Sequence, residues 1–217
     1  MKKPPGLARE REHRLNKNGL LLESLRLEGG TLSNVEGHNR RLNASRKELF
    51  GSTDSWDLRE IVRIPPEFSN GLYKCRVLYS RNIEKVEFIP YVKKTILRLR
   101  IVYSDTIDYH LKFSDRSGLE MLRNLAGPEE DIIIVKNGLV TDASSSNLVF
   151  DTGNGLLTPA SPLLRGTRRE LLLSQGDIRP GDIGPGDIGT FRSIHLINAM
   201  LDLGEAVLNV NGTSVYE

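Results

Sequence analysis

The apolar positions of this chain fall into short runs separated by polar turns. Residues 20–27 form a β-compatible run, Gly29-Gly30 turns it, and the chain returns from Thr31, which predicts a hairpin. A helix follows in NVEGHNRRLNASRKELFG. Asn34 can cap it, Val35, Leu42 and Leu49 recur every seven residues, and Gly51 can close it. DLREIVRIPPEF predicts a second, short helix stopped by Pro65-Pro66. GLYKCRVLYS, KVEFIPYV and TILRLRIVYS read as three strands.

The second half has a different rhythm. SDRSGLEMLRNLA predicts a helix that turns Leu119, Leu122, Leu125 and Ala126 toward a core, with Ser117 and Glu120 at capping-box spacing. EDIIIVKNGLVTDASSSNLVFDTGNGLLTP holds strands joined at Asn137-Gly138, a two-residue hairpin signal. SPLLRGTRRELLLS is a loop opening into a helix, where Thr167 and Glu170 have the same capping-box spacing. GDIRPGDIGPGDIG repeats GDI three times, and its Gly and Pro content predicts a loop. The chain closes on strands and turns in SIHLINAMLDLGEAVLNVNGTSVYE.

Composition narrows the classes. The 217 residues can bury a real core. Thirty basic side chains against 28 acidic ones give a net charge of +2, with no strong push toward nucleic acid or membrane. Cys75 is the one cysteine, so no intrachain disulfide or thiolate metal cluster can form. The start, MKKPPGLAREREHRLNKNG, is a basic arm without the apolar core of a signal peptide. The chain therefore reads as cytoplasmic.

Four features then converge. Lys112 sits where a strand hands over to a helix. Asp142 ends a strand ahead of ASSSN. GTRRE begins a helix whose early N–H groups suit a phosphate. Arg41 lies on a helix beside His38 and Ser45. An amine, a carboxylate and anion donors from two helices are what pyridoxal phosphate needs. Each also has an ordinary reading: a solvated lysine, an Asx-turn aspartate, a helix cap, an exposed helical face.

The chain resembles the class IV aminotransferase family, the fold-type IV pyridoxal phosphate enzymes. The likeness runs from about residue 20 to 205 on an ordered set of motifs: LLES, GGTLSNVEGHNRRLNAS, HLKFSDR, NGLVTDASSSNLVF, LTPASPLLRGTRRELL and HLINAM. It implies that Lys112 is the Schiff-base lysine and that Arg41 holds the cofactor phosphate. Asp142 stands where relatives usually carry glutamate, as partner of the pyridine nitrogen. Gly166, Thr167 and Arg168 match the phosphate-binding helix start, and Asn198 and Ala199 a second phosphate-contacting turn. Ser146 and Asn147 match residues flanking the ring. Arg76 lies on the strand that in some relatives faces the substrate carboxylate. The departures are Asp142, Arg165 where proline is common, and an N-terminal segment with no good counterpart.

The expected architecture is α+β, a two-domain fold-type IV enzyme. A basic arm (1–19) precedes an N-terminal domain (20–105) and a C-terminal domain (106–217) that carries Lys112. The resemblance implies pyridoxal 5′-phosphate and a homodimer, and no metal site is expected. It implies transamination of a small amino acid, with aminodeoxychorismate lyase as the alternative and a non-catalytic binding protein as a third.

Overall fold

The computed structural model describes residues 19–210, 212 and 214–217. The expected basic arm lies outside the described residues except for Gly19. The described chain is α+β, with three sheets. The first has the order β2-β1-β3-β4, from β1 (Leu21–Glu28), β2 (Thr31–Leu32), β3 (Leu72–Tyr79) and β4 (Ile83–Pro90). All its pairs are antiparallel. Leu21, Leu25 and Leu27 share a face with Tyr73, Cys75, Val77 and Tyr79, as the two-residue period of a strand requires. Helix α1 (Val35–Phe50) lies on that face through Val35 and Leu42, and α2 (Leu58–Ile61) adds Leu58.

The other sheets come from the rest of the chain. One has the order β13-β5-β6-β7, with β5 (Arg98–Tyr103), β6 (Glu130–Lys136), β7 (Leu139–Val140) and β13 (Val215–Tyr216). β5 thus pairs with β6, beyond the boundary expected at 105. The last has the order β10-β9-β8-β11-β12. Its strands are β8 (Asn147–Asp151), β9 (Leu156–Pro159), β10 (Arg179–Gly181), β11 (Ser193–Ile197) and β12 (Val207–Asn209). β6 explains the run EDIIIVK. Ile133 and Val135 join Phe150, Ile194 and Leu196 in one core, while Ile132 and Ile134 meet Leu119 of α3 (Ser117–Arg123) in another. A strand buried on both faces has no polar face to show.

Several local expectations are corrected. Asn34 does not cap α1 with its side chain; it sits in the left-handed region (φ 50°) and gives its carboxamide to the Thr167 carbonyl at 3.0 Å. α3 is initiated by Asp115, whose Oδ1 accepts the Ser117 N–H at 2.9 Å, and it ends at Arg123. Leu125 therefore falls past the helix and is 52 % exposed. The helix α4 (Thr167–Gln175) has Gly166 at its N-cap and no side-chain cap. Its capping box fails because Glu170 pairs with Arg169 instead. Asn137-Gly138 does turn the β6–β7 hairpin, with φ values of 52° and 79° that this tight turn needs.

The GDI repeat is more than a loop. Its three isoleucines, Ile178, Ile183 and Ile188, are all buried, and the segment includes β10 and a 3-10 turn over Pro185–Thr190. Ile183 and Ile188 enter the main core of the second half, and Ile178 packs with Leu172 of α4.

Candidate active site

Lys112 is delivered to β1 by backbone pairing. Its carbonyl accepts the Leu22 N–H at 2.9 Å, Phe113 bridges Leu21, and the Ser114 N–H reaches the Leu20 carbonyl at 2.9 Å. Leu111 and Phe113 pack into the core under the first sheet. Lys112 is the middle residue of a tight turn closed by the Phe113 N–H on the Leu111 carbonyl at 2.9 Å, within electrostatic reach of Arg41 and Glu23. Its ammonium makes no hydrogen bond or ion pair among the described residues. Burial pushes its pKa down to about 7, with Arg41, Arg116 and Lys74 acting in the same direction and Glu23 against them. An unpaired amine that is partly neutral near pH 7 is the state a nucleophilic or proton-moving lysine needs.

Behind it lies a buried ionic network. Glu23 is fully buried on the core face of β1. Its carboxylate accepts Arg41 Nε at 2.9 Å and Arg41 Nη2 at 2.5 Å, and lies 2.6 Å from His38 Nδ1. Burial alone would raise the Glu23 pKa; Arg41 and His38 outweigh it and hold the value at about 2. Arg41 is mostly buried, whereas Arg40 beside it is exposed. Glu23 occupies the Nε and Nη2 side of the guanidinium and leaves Nη1 for an anion.

α4 meets this network at its first residue. Thr167 Oγ1 lies 3.2 Å from His38 Nε2, and its carbonyl holds Asn34. Gly37 keeps that carboxamide in place by its lack of a side chain: a Cβ there would fall 2.6 Å from Asn34 Oδ1. With no side-chain cap, the first N–H groups of α4 remain open to an anion.

Asp142 is buried and held from two sides. Oδ1 accepts Asn147 Nδ2 at 2.7 Å, and Oδ2 accepts the Leu164 N–H at 2.9 Å. Burial pushes its pKa up to about 6 even though both hydrogen bonds oppose the shift. Asn147 also donates to the Leu164 carbonyl at 2.8 Å. This carboxamide presses on Gly166, where a Cβ would stand 2.0 Å from Asn147 Oδ1. Asp142, Asn147 and the start of α4 therefore form one unit.

The remaining candidates divide. Asn198 donates to Ser146 Oγ at 3.0 Å and to the Ser145 carbonyl at 3.2 Å, so those two expected positions do meet. Ala199 lies in the turn closed by the Asn198–Leu201 bridge. Arg168 is turned away to Asp202, 3.1 Å from its Nε. Arg76 pairs with Glu87 on β4 at 3.1 Å and lies on the face opposite Glu23.

Sequence reading missed Glu23, Lys74, Arg116 and Arg169. Glu23 was legible as a carboxylate at an inward position of an apolar strand. Lys74 shares the strand face of Arg76, and burial and nearby cations lower its pKa. Arg116 ties the Lys112 segment to the Ser144 carbonyl at 2.8 Å, and its Nε is buried without a partner. Arg169 is buried against Thr158 and the Pro159 carbonyl, anchoring α4 to β9.

The profile of the amino-transferase class IV family matches residues 119–206. An uncharacterised protein of Haemophilus influenzae is 37 % identical over 182 residues, covering 83 % of this chain and 97 % of that one. A crystal structure from Haemophilus somnus, named as a candidate 4-amino-4-deoxychorismate lyase, is 34 % identical with a TM-score of 0.79 and covers 85 % of this chain and 97 % of that one. A candidate amino-acid aminotransferase of Mesorhizobium loti shares the fold at 22 % identity and a TM-score of 0.75, covering 86 % and 98 % of the two chains. An unpaired amine, a buried carboxylate and an uncapped helix start, set in a fold shared over nearly the full length of these proteins, leave one conclusion: the chain belongs to the class IV aminotransferase family.

Proposed function

We propose that this protein is a pyridoxal 5′-phosphate enzyme that transaminates a small amino acid, with Lys112 as its working amine. The observation that carries the reading is Lys112 itself: unpaired and brought to about pKa 7. The residues present fit the cofactor. Arg41 offers the guanidinium edge that Glu23 leaves open, and the start of α4 offers uncapped N–H groups. Asp142 offers a buried carboxylate for a ring nitrogen. When bound, the cofactor supplies an electron-poor ring that stabilises negative charge on the substrate carbon next to the amine.

The chain's own residues do the rest. Neutral Lys112 would hold the cofactor and later move the proton at the substrate Cα. Burial, helped by Arg41, Arg116 and Lys74, leaves that amine partly neutral near pH 7. Arg41 and the α4 N–H groups would hold the phosphate, a charge-assisted contact of about 1.5–3 kcal/mol per guanidinium. Asp142 would keep the ring nitrogen protonated by its charge.

A second reading is aminodeoxychorismate lyase, and the Haemophilus somnus relative at 34 % identity favours it. The same lysine serves both. The deciding experiment incubates the purified protein with aminodeoxychorismate, and separately with D- and L-amino acids and keto-acid acceptors. Keto acid formed only with an acceptor supports transamination. Pyruvate released without one supports the lyase. A protein that does neither, yet binds the cofactor, supports a binding protein that kept the fold.

A further inference from the structure

His38 has a chemical position that the proposed mechanism does not use. It is 1 % exposed, on α1 one turn ahead of Arg41. Both ring nitrogens are engaged: Nδ1 with Glu23 Oε2 at 2.6 Å and Nε2 with Thr167 Oγ1 at 3.2 Å. The charged groups around it are Glu23, Arg41 and Lys112.

The proton assignments follow from the partners. Glu23 is ionised and carries no proton, so it can only accept. His38 Nδ1 is therefore the protonated nitrogen. Burial keeps the ring neutral against the pull of Glu23, with Arg41 and Lys112 adding to the effect. Nε2 is then a bare lone pair, and its partner among the described residues is the Thr167 hydroxyl, which can donate to it. The bonds run in one direction: Thr167 O–H to His38, His38 N–H to Glu23, and Arg41 into the same carboxylate. Asn34, one turn earlier and just ahead of α1, holds the Thr167 carbonyl.

We propose that His38 is a positioning residue that locks Arg41 and the start of α4 into one anion cradle without touching the anion, and that it uses up the Thr167 hydroxyl in doing so. The cradle's identity as the phosphate site rests on the function proposed above. Thr167 then meets an anion through its backbone N–H alone. Its hydroxyl sets the spacing between two elements that are far apart in sequence.

The test uses the full chain freed of cofactor. Nitrogen NMR of the wild-type imidazoles should show His38 neutral at pH 7 with its proton on Nδ1, and unchanged after inorganic phosphate is added. Calorimetric titration with inorganic phosphate should show about three- to tenfold weaker binding for Thr167→Val and for His38→Asn, the worth of one hydrogen bond. His38→Asn can keep the Glu23 bond but cannot reach Thr167. The double variant should bind no more weakly than either single one, because both break the same link. A proton on Nε2, an imidazolium, or a lost Nε2 hydrogen bond on adding phosphate would overturn the proposal. So would wild-type affinity in Thr167→Val, additive losses, or a wild type that binds no phosphate. Should His38→Asn fail to fold, Thr167→Val and the wild-type spectra still decide. Borohydride trapping of added pyridoxal phosphate on Lys112 is read separately. Its failure beside intact phosphate binding would sink the enzyme reading and leave the His38 link standing.

Discussion

At the scale of single residues, the site turns on which groups carry protons. Lys112 must be neutral to attack an aldehyde. The rate at which cofactor-free protein captures pyridoxal phosphate should therefore be flat above about pH 7. It should fall roughly tenfold per pH unit well below that value. A lysine with an ordinary pKa would instead keep gaining rate toward pH 10, and stopped-flow absorbance separates the two profiles. After borohydride, the label should sit on the Lys112 peptide; a label on Lys74 or Lys136 would move the assignment. Asp142 gives a second prediction. Asp142→Asn should still bind the cofactor, since Lys112 and Arg41 are untouched, but should slow exchange of the substrate Cα proton. Single-turnover exchange at the wild-type rate would return Asp142 to a purely structural part, holding Asn147 and Leu164. Lys112, Arg41 and Asp142 were singled out in sequence because their motifs come in a fixed order. The partners that set their charge states were not. Glu23 and His38 pair across 15 positions and both act on Lys112 from more than 70 positions away, and a linear pattern carries no such distances.

At the scale of elements, the helix boundaries show what sequence can and cannot say. α1 was legible because Val35 and Leu42 recur on one face and Gly51 ends it at φ 68°. The capping boxes at Ser117 and Thr167 were not, because a cap is decided by which partner wins. Asp115 takes the Ser117 N–H, and the Thr167 hydroxyl is drawn to His38 in another part of the chain. Gly166 looks like an ordinary helix-start glycine, yet its place is set by Asn147. Gly166→Ala would put a methyl 2.0 Å from Asn147 Oδ1, so Asn147 must leave Asp142 or α4 must shift. The expected loss is about 2 kcal/mol or more, of the size found for overpacking, measured by urea unfolding at pH 7. Cofactor affinity should fall in parallel, since the same movement displaces the N–H groups of α4.

At the scale of the whole molecule, buried charge ties stability to pH. Glu23 has a folded pKa of about 2 against 4.5 ordinarily, so its contribution is present above about pH 4.5 and is lost as pH falls toward 2. Asp142 runs the other way. Its folded pKa of about 6 lies above the ordinary 3.8, so the folded chain holds that proton more tightly and stability declines as pH rises from about 4 to 6. Glu23→Gln should cost about 3 kcal/mol at pH 7, where it strands Arg41, and clearly less near pH 2. Urea midpoints at the two pH values check it, and equal losses would mean Glu23 is not the buried counter-ion. The surface also leaves Val92, Met121 and Leu97 exposed, at 82, 71 and 55 %. We expect a homodimer, and sedimentation at twice the chain mass would support it.

The three isoleucines of the GDI repeat have a consequence for how the protein is degraded. A protease must draw a stretch of extended chain into its cleft, and exposed loop tips with small residues are where that usually starts. Here the segment enters the core at Ile178, Ile183 and Ile188, so none of its stretches between these anchors is long enough to be drawn out alone. Cleavage within it has to wait for the core of the second half to open. Under native conditions, proteolysis in this segment should report global unfolding rather than local fraying. Ile188→Ala would loosen the last anchor and should make the bonds near Pro185 the first to be cut.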